Sequence, residues 1–225
     1  QTKDGGYVIA GYTNSFRDGN GDVYIVKTDF NGNKVWENSF GNLGYDDAYS
    51  VQQTSDDGFI VAGATGIFET NVWDVYLAKT NSIGEKQWSK IFGGKGDDQA
   101  HSLEQTKDGG YIIAGDTNSY RAGGYDAYLI RVDSSGNKVW RGERMFGRNK
   151  DDRAYSVKQT IDGGFIIAGW TKSFGTGDLD VYLVKTDAQG ERLWEKTFGG
   201  AGNDYANSVQ QTKDGGYIVA GGTKS

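Results

Sequence analysis

The stretch Asp4-Gly5-Gly6-Tyr7-Val8-Ile9-Ala10-Gly11 decides the fold, because it returns. It comes back at Asp108 to Gly115, Asp162 to Gly169 and Asp214 to Gly221, with a variant at Asp56 to Gly63. Successive copies start 52, 52, 54 and 52 residues apart. A second series, Trp36, Trp88, Trp140 and Trp194, is followed by Phe40, Phe92, Phe146 and Phe198. The two extra residues of the third copy fall in Arg141-Gly142-Glu143-Arg144-Met145, where a bulge or a longer loop is expected. Periods of this length mark solenoids and propellers.

Each copy divides into four short apolar runs separated by turn residues. Asp57-Gly58 is a hairpin signal between the runs Ala48 to Gln53 and Phe59 to Gly63. Asp29-Phe30-Asn31-Gly32 carries the preferences of a type I turn, and Asn81/Gly84, Asp133/Gly136 and Asp187/Gly190 repeat it. Four strands per repeat is the arithmetic of a propeller blade. Side-chain size orders the strands. The run with Ala48 and Ser50, echoed by Ala100/Ser102, Ala154/Ser156 and Ala206/Ser208, is smallest and is placed innermost. Tyr7-Val8-Ile9-Ala10 is apolar at successive positions, as in a strand buried on both faces, and becomes second. Val23 to Thr28 is third, and the strand with Trp36 outermost.

The expected fold is therefore all-β, a β-propeller with four blades of four antiparallel strands in a single domain. The blades would be 1–40 plus 205–211, 46–92, 98–146 and 152–198, the ring closing when Ala206 to Gln211 supplies the missing inner strand of the first. Residues 212–225 are then a surplus strand, which could pair with the edge of another copy and build a filament. The rival expectation is that the 225 residues are an excerpt of a longer propeller.

Composition bounds the function. Gly 36, Tyr 14 and Phe 10 against Pro 0 describe turns and strand-forming aromatics. No apolar run approaches the ~18 residues of a membrane span. A net charge of −6, with the basic residues dispersed, argues against a nucleic-acid partner. With no cysteine and a single histidine, His101, neither a Ser/His/Asp arrangement nor zinc-ligand spacing can be assembled. His101 replaces Tyr49, Tyr155 and Asn207 of the other copies and reads as a packing variant. No enzyme and no cofactor is expected, although a pair of carboxylates acting on a glycan stays open as a remote alternative.

Phe92-Gly93-Gly94-Lys95-Gly96-Asp97-Asp98, then Ala100 and Ser102, then Asp108 to Ser119 resemble the SBBP β-propeller repeats of bacterial and archaeal secreted and cell-surface proteins. The chain departs from that pattern after Thr117-Asn118-Ser119, where the family continues into Phe-Pro, which suggests a sister group. The resemblance implies a propeller and an extracellular or cell-surface location. The family has no common activity, so it carries over no functional residue.

Candidate sites follow from the period. Asp18-Gly19-Asn20-Gly21-Asp22 has the alternating oxygens of a calcium loop, but Val23 stands where that loop needs glycine. The series Asp46, Asp98, Asp152 and Asp204 reads as satisfying backbone donors, and the tryptophans and Phe16, Phe68, Tyr120 and Phe174 as packing between blades. Residues that break the period are not demanded by it. Trp73, Tyr125, Trp170, Arg121 and Tyr45 are the candidates for ligand or partner contact. The leading expectation is a non-catalytic structural or adhesive module whose partners are copies of itself or other surface proteins. A lectin-like glycan binder is the alternative.

Overall fold

The computed structural model describes residues 1–15, 21–42, 44–66, 72–121 and 123–224. All regular elements among them are antiparallel strands. The first sheet holds β1 (Tyr7–Thr13), β2 (Asp22–Thr28) and β3 (Lys34–Phe40). The second is β4 (Tyr45–Gln53), β5 (Phe59–Gly66), β6 (Trp73–Thr80) and β7 (Lys86–Phe92). The third is β8 (Asp98–Gln105), β9 (Tyr111–Thr117), β10 (Asp126–Val132) and β11 (Arg144–Phe146). The fourth is β12 (Asp152–Gln159), β13 (Phe165–Thr171), β14 (Asp180–Thr186) and β15 (Arg192–Phe198). A two-stranded fifth contains β16 (Asp204–Gln211) and β17 (Tyr217–Thr223).

Within each sheet, spatial order follows chain order, as side-chain size predicts. The tight turns between first and second strands use a left-handed residue, Gly109 at φ 85° for example. Asp57, at φ 65°, takes that conformation where the other copies have glycine. A buried cation on each third strand pins the same turn: Lys27 to Asp4 at 2.9 Å, Lys79 to Asp56 at 3.0 Å, Arg131 to Asp108 at 2.5 Å and Lys185 to Asp162 at 2.9 Å. The insertion is a loop, which shortens β11 to three residues where β3, β7 and β15 have seven.

The core lies between sheets. Each tryptophan of the periodic series packs on an aromatic of the next sheet's second strand: Trp36 on Phe59 (5.5 Å between ring centres), Trp88 on Tyr111 (6.2 Å), Trp140 on Phe165 (5.8 Å) and Trp194 on Tyr217 (5.8 Å). Strands β5, β9 and β13 are buried on both faces apart from Trp170. Full burial of such a side chain contributes about 2–3 kcal/mol. The first strands β4, β8, β12 and β16 lie against one another, and a serine on each of the first three accepts a backbone N–H from the next: Leu103 to Ser50 (3.2 Å), Val157 to Ser102 (3.2 Å) and Val209 to Ser156 (3.1 Å). Ser156→Ala orphans a buried donor and is expected to cost about 1–3 kcal/mol in urea denaturation. Ser208→Ala, at the exposed equivalent on β16, is expected to cost nothing measurable.

The expected closure does not occur. Strand β16 pairs with β17 along its whole length, from Asp204 opposite Thr223 to Gln211 opposite Tyr217, with one register shift between Ala206 and Ser208, and not with β1. Segment 212–225 is therefore no surplus: its strand fills the second slot of a fifth sheet. Among the described residues, β16 and β17 pack on the fourth sheet and make no substantial contact with β1–β3. The reason is local. A hairpin joins Ala206 to Gln211 to the copy of the second strand that follows it, and that partner outcompetes a distant β1.

Candidate functional site

Every first strand carries a β-bulge, between Ala48/Ser50, Ala100/Ser102, Ala154/Ser156 and Ala206/Ser208. The extra residues are Tyr49, His101, Tyr155 and Asn207. A bulge re-aims its extra side chain, and here it assembles a row along the contiguous first strands. His101 sits between Tyr49 (5.8 Å) and Tyr155 (5.0 Å). Opposite each bulge a glycine is obligatory, because a Cβ on Gly63, Gly115, Gly169 or Gly221 would lie within 2 Å of a first-strand carbonyl oxygen.

Around that row two of the period-breaking residues, Tyr125 and Trp170, are gathered. His101 packs as expected and also pairs through Nε2 with Asp116 Oδ1 at 2.5 Å. The fully buried Asp116 lies 3.3 Å from Arg153, whose guanidinium rests 4.3 Å from the ring centre of Tyr125 and 5.8 Å from that of Trp170. Tyr125 donates to Asp97 at 2.9 Å, and burial with that carboxylate pushes its phenol up to about 12, so it stays a protonated donor. Trp170 Nε1 donates to the Tyr155 hydroxyl at 3.2 Å. Tyr45 and Trp73 stack at 6.4 Å.

Two pairs of the five candidates are thus brought together, Tyr45 with Trp73 by direct stacking and Tyr125 with Trp170 through Arg153. Arg121 stands apart, 3.8 Å from Asp126, on a cavity of about 320 Å³ beside the insertion. Asp116, Arg153, Tyr155 and Tyr205 were not singled out from the sequence. The signal was there: Asp116 and Trp170 share a repeat position with Tyr12, Ala64 and Gly222, and Arg153 shares one with Asp47, Gln99 and Tyr205.

The acidic series is structural. Asp46, Asp98, Asp152 and Asp204 each accept the backbone N–H four residues earlier, at 2.7, 2.9, 3.0 and 2.8 Å. Each also faces the third-strand aspartate of the preceding sheet across a glycine. A Cβ on Gly147, for instance, would come 2.3 Å from Asp152 Oδ2 and 2.6 Å from Asp126 Oδ1. Burial, with a smaller push from Asp152 against a pull from Arg121, raises the Asp126 carboxyl to about 6. Desolvation raises Asp46, Asp74 and Asp98 as well. Of the calcium phrase, Asp18, Gly19 and Asn20 lie outside the described residues, as do Phe16 and Phe68. Among the described residues no three His, Cys, Asp or Glu side chains are grouped to hold a metal ion.

No family model matches the chain. It is similar to the regulatory protein FlaEY of Caulobacter vibrioides, 26% identical over 173 residues, which are 66% of this chain and 18% of that protein. A protein of unknown function from Bacteroides caccae superposes with a TM-score of 0.53 at 13% identity, over 96% of this chain and 65% of its own. Sqt1 from Chaetomium thermophilum gives a TM-score of 0.42 at 10% identity, over 92% of this chain and 61% of that one. The chain spans under two thirds of each, and at 13% identity the likeness to the Bacteroides caccae protein concerns the fold alone.

Proposed function

We propose that this chain is a non-catalytic structural and adhesive module of the cell surface, a run of β-propeller blades akin to the SBBP repeats, which assembles with other copies through its two end faces. One observation carries the reading. Tyr111 and Ile113 are 2% and 1% exposed and pack on Ile60 and Ala62 of the preceding sheet. Their counterparts on β1, Tyr7 and Ile9, are 45% and 56% exposed. Ile60 is fully buried, whereas its counterpart on β17, Ile218, is 62% exposed beside an exposed Ala220.

The two end faces are thus the two halves of an interface the chain already makes internally. Tyr7 and Ile9 of one copy fit Ile218 and Ala220 of the next, in the arrangement of Tyr111 and Ile113 on Ile60 and Ala62. The open edge of β1 leaves room for strand addition as well, since nothing lies within 4 Å of a Cβ on Gly11. Because the faces differ, the contact is head-to-tail and propagates unless the rotation closes a ring.

Light scattering over a wide concentration range tests this. The mass of the unaltered chain is expected to grow with concentration, while Ile9→Lys and Ile218→Lys each stay monomeric. An equimolar mixture of the two variants is expected to stop at a 1:1 pair, because each keeps the face the other lost. A chain that is monomeric at every concentration overturns the proposal.

A further inference from the structure

We infer that the gap between the fourth and fifth sheets is a binding site for a neutral saccharide. A cavity of about 280 Å³ opens there, lined by Tyr155, Trp170, Leu179, Tyr205 and Asn207. Its residues come from both sheets: Tyr155 and Trp170 from β12 and β13, Tyr205 and Asn207 from β16. Four of the five break the repeat. Trp170 stands where other copies have Tyr12, Ala64, Asp116 and Gly222; Leu179 where they have Gly21, Trp73 and Tyr125; Tyr205 where they have Asp47, Gln99 and Arg153; and Asn207 where they have Tyr49, His101 and Tyr155. The fold therefore does not require this combination.

The indole is held in place before any ligand arrives. Its N–H is bonded to the Tyr155 hydroxyl, Arg153 and Lys172 lie over its ring at 5.8 and 5.7 Å, and both cations are anchored in turn, Arg153 by Asp116 and Lys172 by Asp151 at 3.1 Å. Tyr205 is accommodated by the absence of a side chain at Gly222, where a Cβ would come 2.6 Å from its hydroxyl. Pre-organisation of this kind removes ordering cost from binding.

Charge decides the ligand class. The cations beside the cavity are each matched to a carboxylate, so no uncompensated positive charge is left for an anion. A cationic ligand is opposed because Arg153 and Lys172 already lie over the Trp170 ring. Three aromatic rings, two of them bearing phenol hydroxyls, and the exposed Asn207 amide remain. That set suits a ring with an apolar C–H face and a hydroxylated rim, a neutral pyranose.

The test uses saturation-transfer NMR and tryptophan fluorescence titration. The probes are the methyl glycosides of glucose, galactose, mannose and N-acetylglucosamine and their homodisaccharides, with glucuronic acid as the charged comparator. At least one neutral probe is expected to bind with an affinity on the order of millimolar. Trp170→Ala and Asn207→Ala are expected to weaken it by about tenfold or more, while Phe30→Ala, in the exposed turn between β2 and β3 and outside the cavity, leaves it unchanged. Asn207 is exposed, so its variant keeps the test valid should Trp170→Ala fail to fold. The inference is overturned if no neutral probe gives saturation transfer, if both cavity variants bind as the unaltered chain does, or if glucuronic acid binds more tightly than glucose. None of these readouts depends on self-association.

Discussion

Gly115→Ala is expected to destabilise the chain by about 3 kcal/mol or more in chemical denaturation, whereas Gly11→Ala, at the same repeat position, is expected to change stability by under about 0.5 kcal/mol. The two glycines occupy one column of the repeat and differ only in what lies beside them. The bulge of β8 drives the Gln99 carbonyl oxygen to 1.7 Å from where the Gly115 Cβ would stand, with Ala100 Cα at 2.9 Å. Both obstacles are backbone, so relief requires breaking the β8–β9 register around the bulge. Among the described residues no first strand pairs with β1, and Gly11 meets nothing within 4 Å. Its φ lies outside the left-handed region, so alanine adds no strain there. The comparison is run at low concentration, where β1 faces solvent. Equal losses at the two positions would show that the repeat needs glycine for chain flexibility rather than for the bulge.

Asp126→Asn is expected to stabilise the chain at pH 7 by up to about 3 kcal/mol and to flatten its stability profile between about pH 4 and 6. Asp126 is 2% exposed and faces Asp152 across Gly147. Its carboxyl is raised to about 6, so the folded chain holds this proton more tightly than the unfolded one. Stability from the group is therefore greatest below its unfolded value near 4 and is lost as pH climbs through 6. At pH 7 the buried charge is fully destabilising, by roughly two pKa units at 1.36 kcal/mol each. The amide mimics the protonated acid and can donate toward Asp152. Thermal denaturation of both chains across that range reads the effect. A melting temperature for the variant at or below that of the unaltered chain at pH 7 would contradict it. In the opposite sense, the exposed turn carboxylates Asp4 and Asp162, lowered by hydrogen bonds from Thr2 and Thr160 ahead of their lysines, lose stabilisation below about pH 4, which bounds the usable window.

Both results turn on the relation between period and environment. The existence and order of the strands within a sheet, the packing role of the periodic tryptophans and the structural character of the acidic series were legible in the sequence, because each is set by a residue type recurring at fixed spacing within one repeat; the starts of the first strands were not, since β4 begins at Tyr45 and takes in Asp46, which the apolar run from Ala48 leaves out. Trp36 recurs as Trp88, Trp140 and Trp194 and does the same work each time. The bulges were less legible. Their mark is the Ala-x-Ser spacing paired with a glycine on the next strand, which looks like ordinary strand chemistry until the close approach of Gln99 to Gly115 is seen.

The sequence by itself determined the all-β class, the four-strand repeat and the short list of residues that break it. It did so because hydrophobic alternation and turn chemistry act over a few residues. Only the tertiary structure decided that β16 keeps β17 as its partner, that closely similar apolar phrases are buried on both faces in the middle of the chain and exposed on one face at β1 and β17, and that His101, Asp116, Arg153 and Trp170 meet. Those outcomes depend on which sheets are neighbours and how a bulge turns a side chain, and neither quantity is local to any one repeat.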